Sequence, residues 1–320
     1  MSKDVLSDDC LYGVDLFGDV MKPKASGLVA ERFVIPPFTI LDAKQGDWQE
    51  RKRAWQSLGI RGEVGRDDTL TYTGAAKSFD YYRVKEGIRT ESVEQGTSIF
   101  DPVVCELAYR WFSPEGGQIV DPFAGGSVRG IVAGALGRKY YGCDLRQEQI
   151  DANELQADSI ETQVKPKWVC GDSMDELPNA PLADMVFSCP PYGDLEVYSD
   201  NPNDLSSMEW HTFVAAYKRI IMRSVERMKP DTFACFVVGD FRDKKGHYRN
   251  FVSTTIEAFE ECGARLYNEA ILATSVGSAA MRVTKQFNAG RKLAKTHQNV
   301  LVFVKGDWKK AAEKCNGVEV

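Results

Sequence analysis

Between residues 118 and 305 short apolar runs alternate with stretches of helical periodicity, which restricts the chain to α/β folds built on a mainly parallel sheet. Residues 118–121 read as a first strand, and the helix after it, over about 127–136, stops at Gly137. Residues 140–144 form the second strand and 147–157 the next helix; 168–171 and 184–188 are the third and fourth strands. The clearest helix runs over about 207–228. Trp210, Phe213, Val214, Tyr217, Ile221 and Met228 recur on one face of it, the pattern of a core-facing stripe. Residues 232–238 read as a strand and 250–262 as a helix, and strands at 266–273 and 299–305 close the series.

Two of the predicted strand ends carry unusual residues. After the first strand comes Asp121-Pro122-Phe123-Ala124-Gly125-Gly126. Open α/β sheets bind ligands at the carboxyl ends of their strands, and glycines there let the backbone approach a ligand and turn into the following helix. Gly125, Gly126 and Gly130 do not give the dinucleotide spacing G-x-G-x-x-G, and no Walker lysine follows, which disfavours a phosphate loop. Asp144 ends the second strand, where a carboxylate can accept from both hydroxyls of a ribose. After the fourth strand comes Ser188-Cys189-Pro190-Pro191-Tyr192. Each proline fixes φ and removes a donor, so the pair holds the first carbonyl still.

In this order, each behind a strand, the two segments resemble the signature motifs of amino-methyltransferases acting on nucleic-acid bases. That family makes N6-methyladenine and N4-methylcytosine, and its motifs are written D-P-F-x-G-x-G and [D/N/S]-P-P-[Y/F/W]. The resemblance covers about residues 96–307. It implies a Rossmann-like S-adenosylmethionine-dependent methyltransferase fold: a seven-stranded, mainly parallel sheet with helices on both faces, in the order 3-2-1-4-5-7-6 with the seventh strand antiparallel. It implies S-adenosyl-L-methionine as cofactor, bound among Phe100, Asp121, Pro122, Phe123, Ala124, Gly125, Gly126, Asp144, Leu145, Asp172 and Ser173. Cys170-Gly171-Asp172-Ser173 looks like the family's third motif, near the adenine. Thr97-Ser98-Ile99-Phe100-Asp101-Pro102 looks like the motif that holds the methionine end.

Cys189, Pro190, Pro191 and Tyr192 are then the catalytic residues. An exocyclic amine is a poor nucleophile because its lone pair is delocalised into the ring. Accepting hydrogen bonds from both amine protons draws the nitrogen toward tetrahedral geometry, and the aromatic residue stacks on a base swung out of its helix. Cys189 departs from the pattern, since its sulfur is a weak acceptor. No metal and no covalent enzyme–base intermediate is implied.

The expected activity is methyl transfer to the exocyclic amine of a DNA base, with N6-adenine favoured over N4-cytosine. The alternatives are an RNA base amino-methyltransferase and a catalytically impaired module that binds cofactor or nucleic acid. The wording DPFAGGSVRG is similar to that of methyltransferases common in phages and prophages. Over 320 residues the net charge is −6, so contact with DNA, or RNA in the alternative, has to be local. The segment 275–297 supplies Arg282, Lys285, Arg291, Lys292 and Lys295 with no acidic residue, and is read as phosphate-contacting. The catalytic domain is expected over 96–320. Residues 1–95 are either an extension packed on it or a nucleic-acid contact surface, with the basic stretch Asp47–Trp55 framed by two tryptophans and followed later by Tyr81-Tyr82-Arg83. The eight scattered cysteines form no C-x-x-C pair and read as reduced thiols. No run of about 18 apolar residues and no signal-peptide pattern occurs, so a cytoplasmic protein is expected.

Overall fold

A computed structural model describes residues 34–60, 100–193, 199, 201–274 and 279–315, the last stretch without the side chains of 279, 281 and 282. Tyr81-Tyr82-Arg83 and Thr97-Ser98-Ile99 lie outside the described residues. The strands are β1 (Ile40–Asp42), β2 (Gln118–Asp121), β3 (Lys139–Asp144), β4 (Lys167–Cys170), β5 (Ala183–Ser188), β6 (Met228–Val238), β7 (Ala264–Ala273) and β8 (His297–Lys305). They form one sheet in the order β1-β7-β8-β6-β5-β2-β3-β4. Pairing is parallel throughout except around β8, which is antiparallel to both β6 and β7. From β2 onward this is the order 3-2-1-4-5-7-6 with an antiparallel seventh strand, so the chain has the Rossmann-like α/β methyltransferase fold.

Among the described residues the sheet has eight strands rather than seven. The additional strand, β1, pairs parallel with β7 from Ile40↔Ile271 to Asp42↔Ala273. At three residues it is too short to show a period in the sequence. β6 also starts earlier than expected, at Met228. Pro230 argues against a strand there, and the pairing with β5 is accordingly irregular between Ala183 and Met185.

Strand residues alternate between two cores. Ile119, Met185, Phe187, Cys235 and Val237 join one cluster, together with α2 (Pro102–Phe112) and α3 (Val128–Ala135). Val120, Val186, Ala234, Phe236 and Val238 join the other, with α6 (Trp210–Arg227) and α7 (Phe251–Glu261). Phe213, Tyr217 and Ile221 of α6 are fully buried, so the aromatic stripe is core. α4 (Gln147–Ser159) and the short α5 (Ser173–Glu176) follow β3 and β4, and α9 (Trp308–Lys314) follows β8.

The basic segment between β7 and β8 contains a helix, α8 (Ala279–Gly290). The basic stretch near the N-terminus is also a helix, α1 (Gly46–Ser57). Its two tryptophans are not exposed stacking platforms: Trp48 is 2% and Trp55 0% accessible, and both join the α2–α3 core. Arg51, between them, is buried and pairs with Glu106 of α2, which also accepts from the Trp55 indole at 2.7 Å. Burial alone would raise the Glu106 carboxyl, but Arg51, Arg110 and the indole outweigh it and hold it below its ordinary value. Trp48, Arg51 and Trp55 stand at i, i+3 and i+7, one face of a helix. Within the described residues no helix is long and apolar enough to cross a membrane.

Candidate active site

The loop after β2 is built around a buried carboxylate. Asp121 is inaccessible to solvent. It accepts from Arg129 Nε at 2.6 Å, Tyr140 Oη at 2.8 Å, Ser188 Oγ at 2.5 Å and the Phe123 amide at 3.0 Å. Arg129 in turn donates to the carbonyls of Phe123 and Ala124, and its guanidinium lies 4.9 Å from the Phe100 ring centroid. Burial would lower the Arg129 pKa, but the adjoining Asp121 carboxylate overcomes this, so the guanidinium stays charged. Asp121 and the buried Ala124 therefore stand behind the site wall, not on it, unlike the other residues of the motif. The hub holds the loop from within and ties it to Ser188, the residue before Cys189.

Gly125 has φ of +49°, a conformation that favours glycine. Its amide donates to Asp144 Oδ2 at 3.0 Å, and its carbonyl accepts from Asn153 Nδ2 at 2.7 Å. Gly130 serves a different need: a Cβ there would run into the Trp168 indole, so glycine lets α3 close on β4. Asp144 lies at the end of β3, and its second oxygen accepts from the Arg146 amide at 3.0 Å. Burial raises the Asp144 carboxyl above its ordinary value, and the amide hydrogen bonds and Arg146 only partly offset it. Each oxygen keeps acceptor capacity beyond those amides. Asp172 caps α5 through the Met174 amide at 2.9 Å, and Ser173 Oγ donates to the Pro122 carbonyl at 2.5 Å.

These loops and the segment after β5 share one cavity of about 400 Å³. Phe100, Pro122, Phe123, Gly125, Gly126, Asp144, Leu145, Asp172 and Ser173 line it together with Cys189, Pro190, Pro191 and Tyr192. Its volume falls in the ~300–1,000 Å³ range of small-molecule sites. Phe123 is stacked against Tyr217 with centroids 5.9 Å apart, which anchors that wall in the α6 core. The Tyr192 ring meets Phe241 and Phe251 edge-on at 6.1 and 6.0 Å, and its hydroxyl accepts from Gln298 Nε2 at 2.6 Å. Tyr192 is thus gripped at its ring and at its hydroxyl.

Several lining residues carry no motif and are not evident from the sequence: Lys52 on α1, Leu272 and Thr274 at the end of β7, and Gln298 on β8. Arg129, Arg146 and Gln149 follow closely on the recognised segments, and that proximity is their only sequence signal.

The basic residues divide. Lys285, Arg291 and Lys292 are exposed on and just after α8, away from the cavity wall. The side chain of Arg282 lies outside the described residues. Lys295 is half-buried. Its Cε, the Tyr192 hydroxyl and Gln298 Cγ converge on Gly239, within 3.5, 3.8 and 3.9 Å of where a Cβ would stand. Burial lowers the Lys295 pKa, opposed by Asp240.

No family model matches the sequence, and no curated protein matches it. Solved structures do resemble the fold. TrmN from Thermus thermophilus is 13% identical with a TM-score of 0.44, over 64% of this chain and 48% of its own, so the match spans about half of that protein. A TehB-like SAM-dependent methyltransferase from Corynebacterium glutamicum is 17% identical with a TM-score of 0.41, over 72% of this chain and 98% of its own. Magnesium protoporphyrin IX methyltransferase from Synechocystis, with bound SAH, is 10% identical with a TM-score of 0.44, over 72% of this chain and 95% of its own. Likeness at this level assigns neither a substrate nor a residue role.

Proposed function

We propose that the chain is an S-adenosylmethionine-dependent methyltransferase that modifies the exocyclic amine of a nucleic-acid base, with DNA adenine N6 as the favoured target. The observation that carries this reading is the single cavity walled by both the Asp121–Gly126 loop and the Cys189–Tyr192 segment. The residues fit the cofactor. Asp144 is a largely buried carboxylate on the cavity wall with acceptor capacity for a ribose diol, and Gly125 and Gly126 leave room beside it. Leu145, Asp172 and Ser173 flank the adenine end, and Phe100 and Phe123 add apolar walls.

S-adenosylmethionine supplies an activated methyl group on a sulfonium sulfur. The chain's own residues prepare the nucleophile. The Pro190 carbonyl and the Cys189 sulfur accept from the two amine protons and localise the nitrogen lone pair. Pro191 keeps that carbonyl rigid. Tyr192, held by Phe241, Phe251 and Gln298, offers its ring to the flipped base. Lys285, Arg291 and Lys292 supply phosphate contacts outside the cavity.

The weak acceptor at Cys189 favours a second reading, a module that binds cofactor and nucleic acid without turnover. One experiment decides between them: transfer of labelled methyl to mixed DNA and RNA, followed by nucleoside analysis. N6-methyladenine in DNA supports the proposal, and label in RNA reassigns the substrate. Cofactor binding with no label in any nucleic acid supports the binding module.

A further inference from the structure

The motif Thr97–Pro102 reaches the cavity wall through Phe100 and Asp101, yet that wall also includes Ala43 after β1 and Gln49 and Lys52 of α1. Lys52 Nζ lies 3.2 Å from Asp101 Oδ2. Helix α1 is not a mobile surface element: Trp48 donates to the same Asp101 oxygen at 3.1 Å, and Arg51 and Trp55 are locked onto Glu106. Lys52 stands one turn after Trp48 on this anchored helix, and the two side chains meet the same Asp101 oxygen at the cavity wall. The pair remains partly open, with side-chain accessibilities of 28% for Lys52 and 15% for Asp101.

An open ion pair of this kind contributes little to stability. It does offer a ligand both signs of charge at one spot. Asp101 already accepts from the Val103 amide, Trp48 and Lys52, which leaves room for about one more donor. Lys52 has three donor hydrogens, of which the pair with Asp101 needs one. The complementary ligand group is a zwitterionic α-amino acid. Its position agrees: Lys52 and Asp101 line the same cavity as Phe100, Asp144, Leu145 and Asp172.

We infer that Lys52 is a cofactor-binding residue that takes the carboxylate of the cofactor's amino-acid end, with Asp101 facing its ammonium. The N-terminal helix thereby completes a site whose other walls come from the sheet. This rests on the proposed cofactor, and the test keeps the two failures apart.

Calorimetry on the full chain compares three ligands: S-adenosylmethionine, its decarboxylated form, and 5′-methylthioadenosine, which lacks the whole amino-acid end. Wild type should bind S-adenosylmethionine at least tenfold more tightly than the decarboxylated form. Lys52→Met should lose about tenfold for S-adenosylmethionine and stay within about twofold for the other two, while Lys52→Arg should keep the wild-type preference. Equal wild-type affinity for the first two ligands overturns the inference, and that measurement does not depend on any variant folding. An equal loss for all three ligands in Lys52→Met also overturns it, because that is the mark of a structural role. If wild type binds none of the three, the cofactor assignment itself fails.

Discussion

At Cys189 one atom separates this chain from the serine that the family pattern allows. A sulfur acceptor is weaker than a hydroxyl oxygen, so in the proposed mechanism the Pro190 carbonyl would carry most of the pull on the target amine. Cys189→Ser keeps the shape and improves the acceptor, so single-turnover methylation with saturating cofactor should hold or rise. Cys189→Ala should lower the rate about tenfold, the equivalent of ~1.4 kcal/mol. Tyr192→Ala should cost more, since stacking of a base on an aromatic is worth ~1–3 kcal/mol. If Cys189→Ala matches wild type, the sulfur has no acceptor role. Asp144 gives a second prediction at this scale. Burial raises its carboxyl above the ordinary value, and ribose hydroxyls bind the ionised form. Protonation of the free protein then competes with the cofactor, so affinity should fall as pH is lowered through that raised value, starting above the range of an exposed aspartate. Asp144→Asn should bind more weakly at neutral pH and show no such dependence. A wild-type affinity that stays flat with pH would remove Asp144 from the ribose contact. Asp121, by contrast, is part of a readable motif, yet no sequence signal separates a residue that lines a cavity from one that braces its wall. That distinction arises from Arg129, Tyr140 and Ser188, which converge on Asp121 only in the folded chain.

Among the elements, those with one broad apolar face are the ones that periodicity reveals. Helix α6 is the clear case, with Phe213, Tyr217 and Ile221 all buried on the expected side. Helix α1 escapes such a reading because its buried stripe includes Arg51, whose charge is matched by a glutamate far along the chain. Helix α8 escapes it for the opposite reason, since residues 284–290 are all exposed and no core-facing stripe marks them. Its neighbour in space is the turn after β6. A Cβ at Gly246 would stand 2.8 Å from Lys292 Nζ, and Arg242, Lys244, Lys245 and Arg249 surround that glycine in sequence. Arg242 lies 4.0 Å over the Tyr248 ring and Arg291 5.1 Å over Phe287, both rings partly exposed. Lys292, just past the end of α8, thus lies beside a turn that carries Arg242, Lys244 and Lys245 along with Asp243. Replacing Lys285, Arg291 and Lys292 by alanine should weaken nucleic-acid binding. The log–log salt slope should flatten by about one for each phosphate that the substitutions leave unneutralised. Cofactor affinity should not change. An unaltered slope would mark α8 as a solvated face.

For the molecule as a whole, the strand order agrees with the resemblance, which no count of apolar positions could supply. What the resemblance did not carry is the manner in which residues 34–60 join the fold. They add β1 at the edge of the sheet, bury Trp48 and Trp55 beside α2, and match the buried charge of Glu106. A chain restricted to 96–320 contains every recognised motif but none of these. Its β7 edge would open along Ile271–Ala273, a free edge that invites association. Glu106 would lose Arg51, and removing one partner of a buried ion pair costs ~3–5 kcal/mol. Truncating a single buried tryptophan costs ~3–5 kcal/mol, and two would be absent. Water reaching the exposed face of α2 recovers part of these costs, yet the remainder is large against the ~5–15 kcal/mol that holds an ordinary domain together. The 96–320 chain should therefore aggregate or unfold at a much lower urea concentration than the full chain. Arg51→Met in the full chain should show the ion-pair part alone, and Glu106→Leu combined with it should recover much of the loss, since matched apolar groups replace buried pairs well. A 96–320 chain that unfolds cooperatively at the full-length midpoint would show that the N-terminal strand and helix are accessory to the fold.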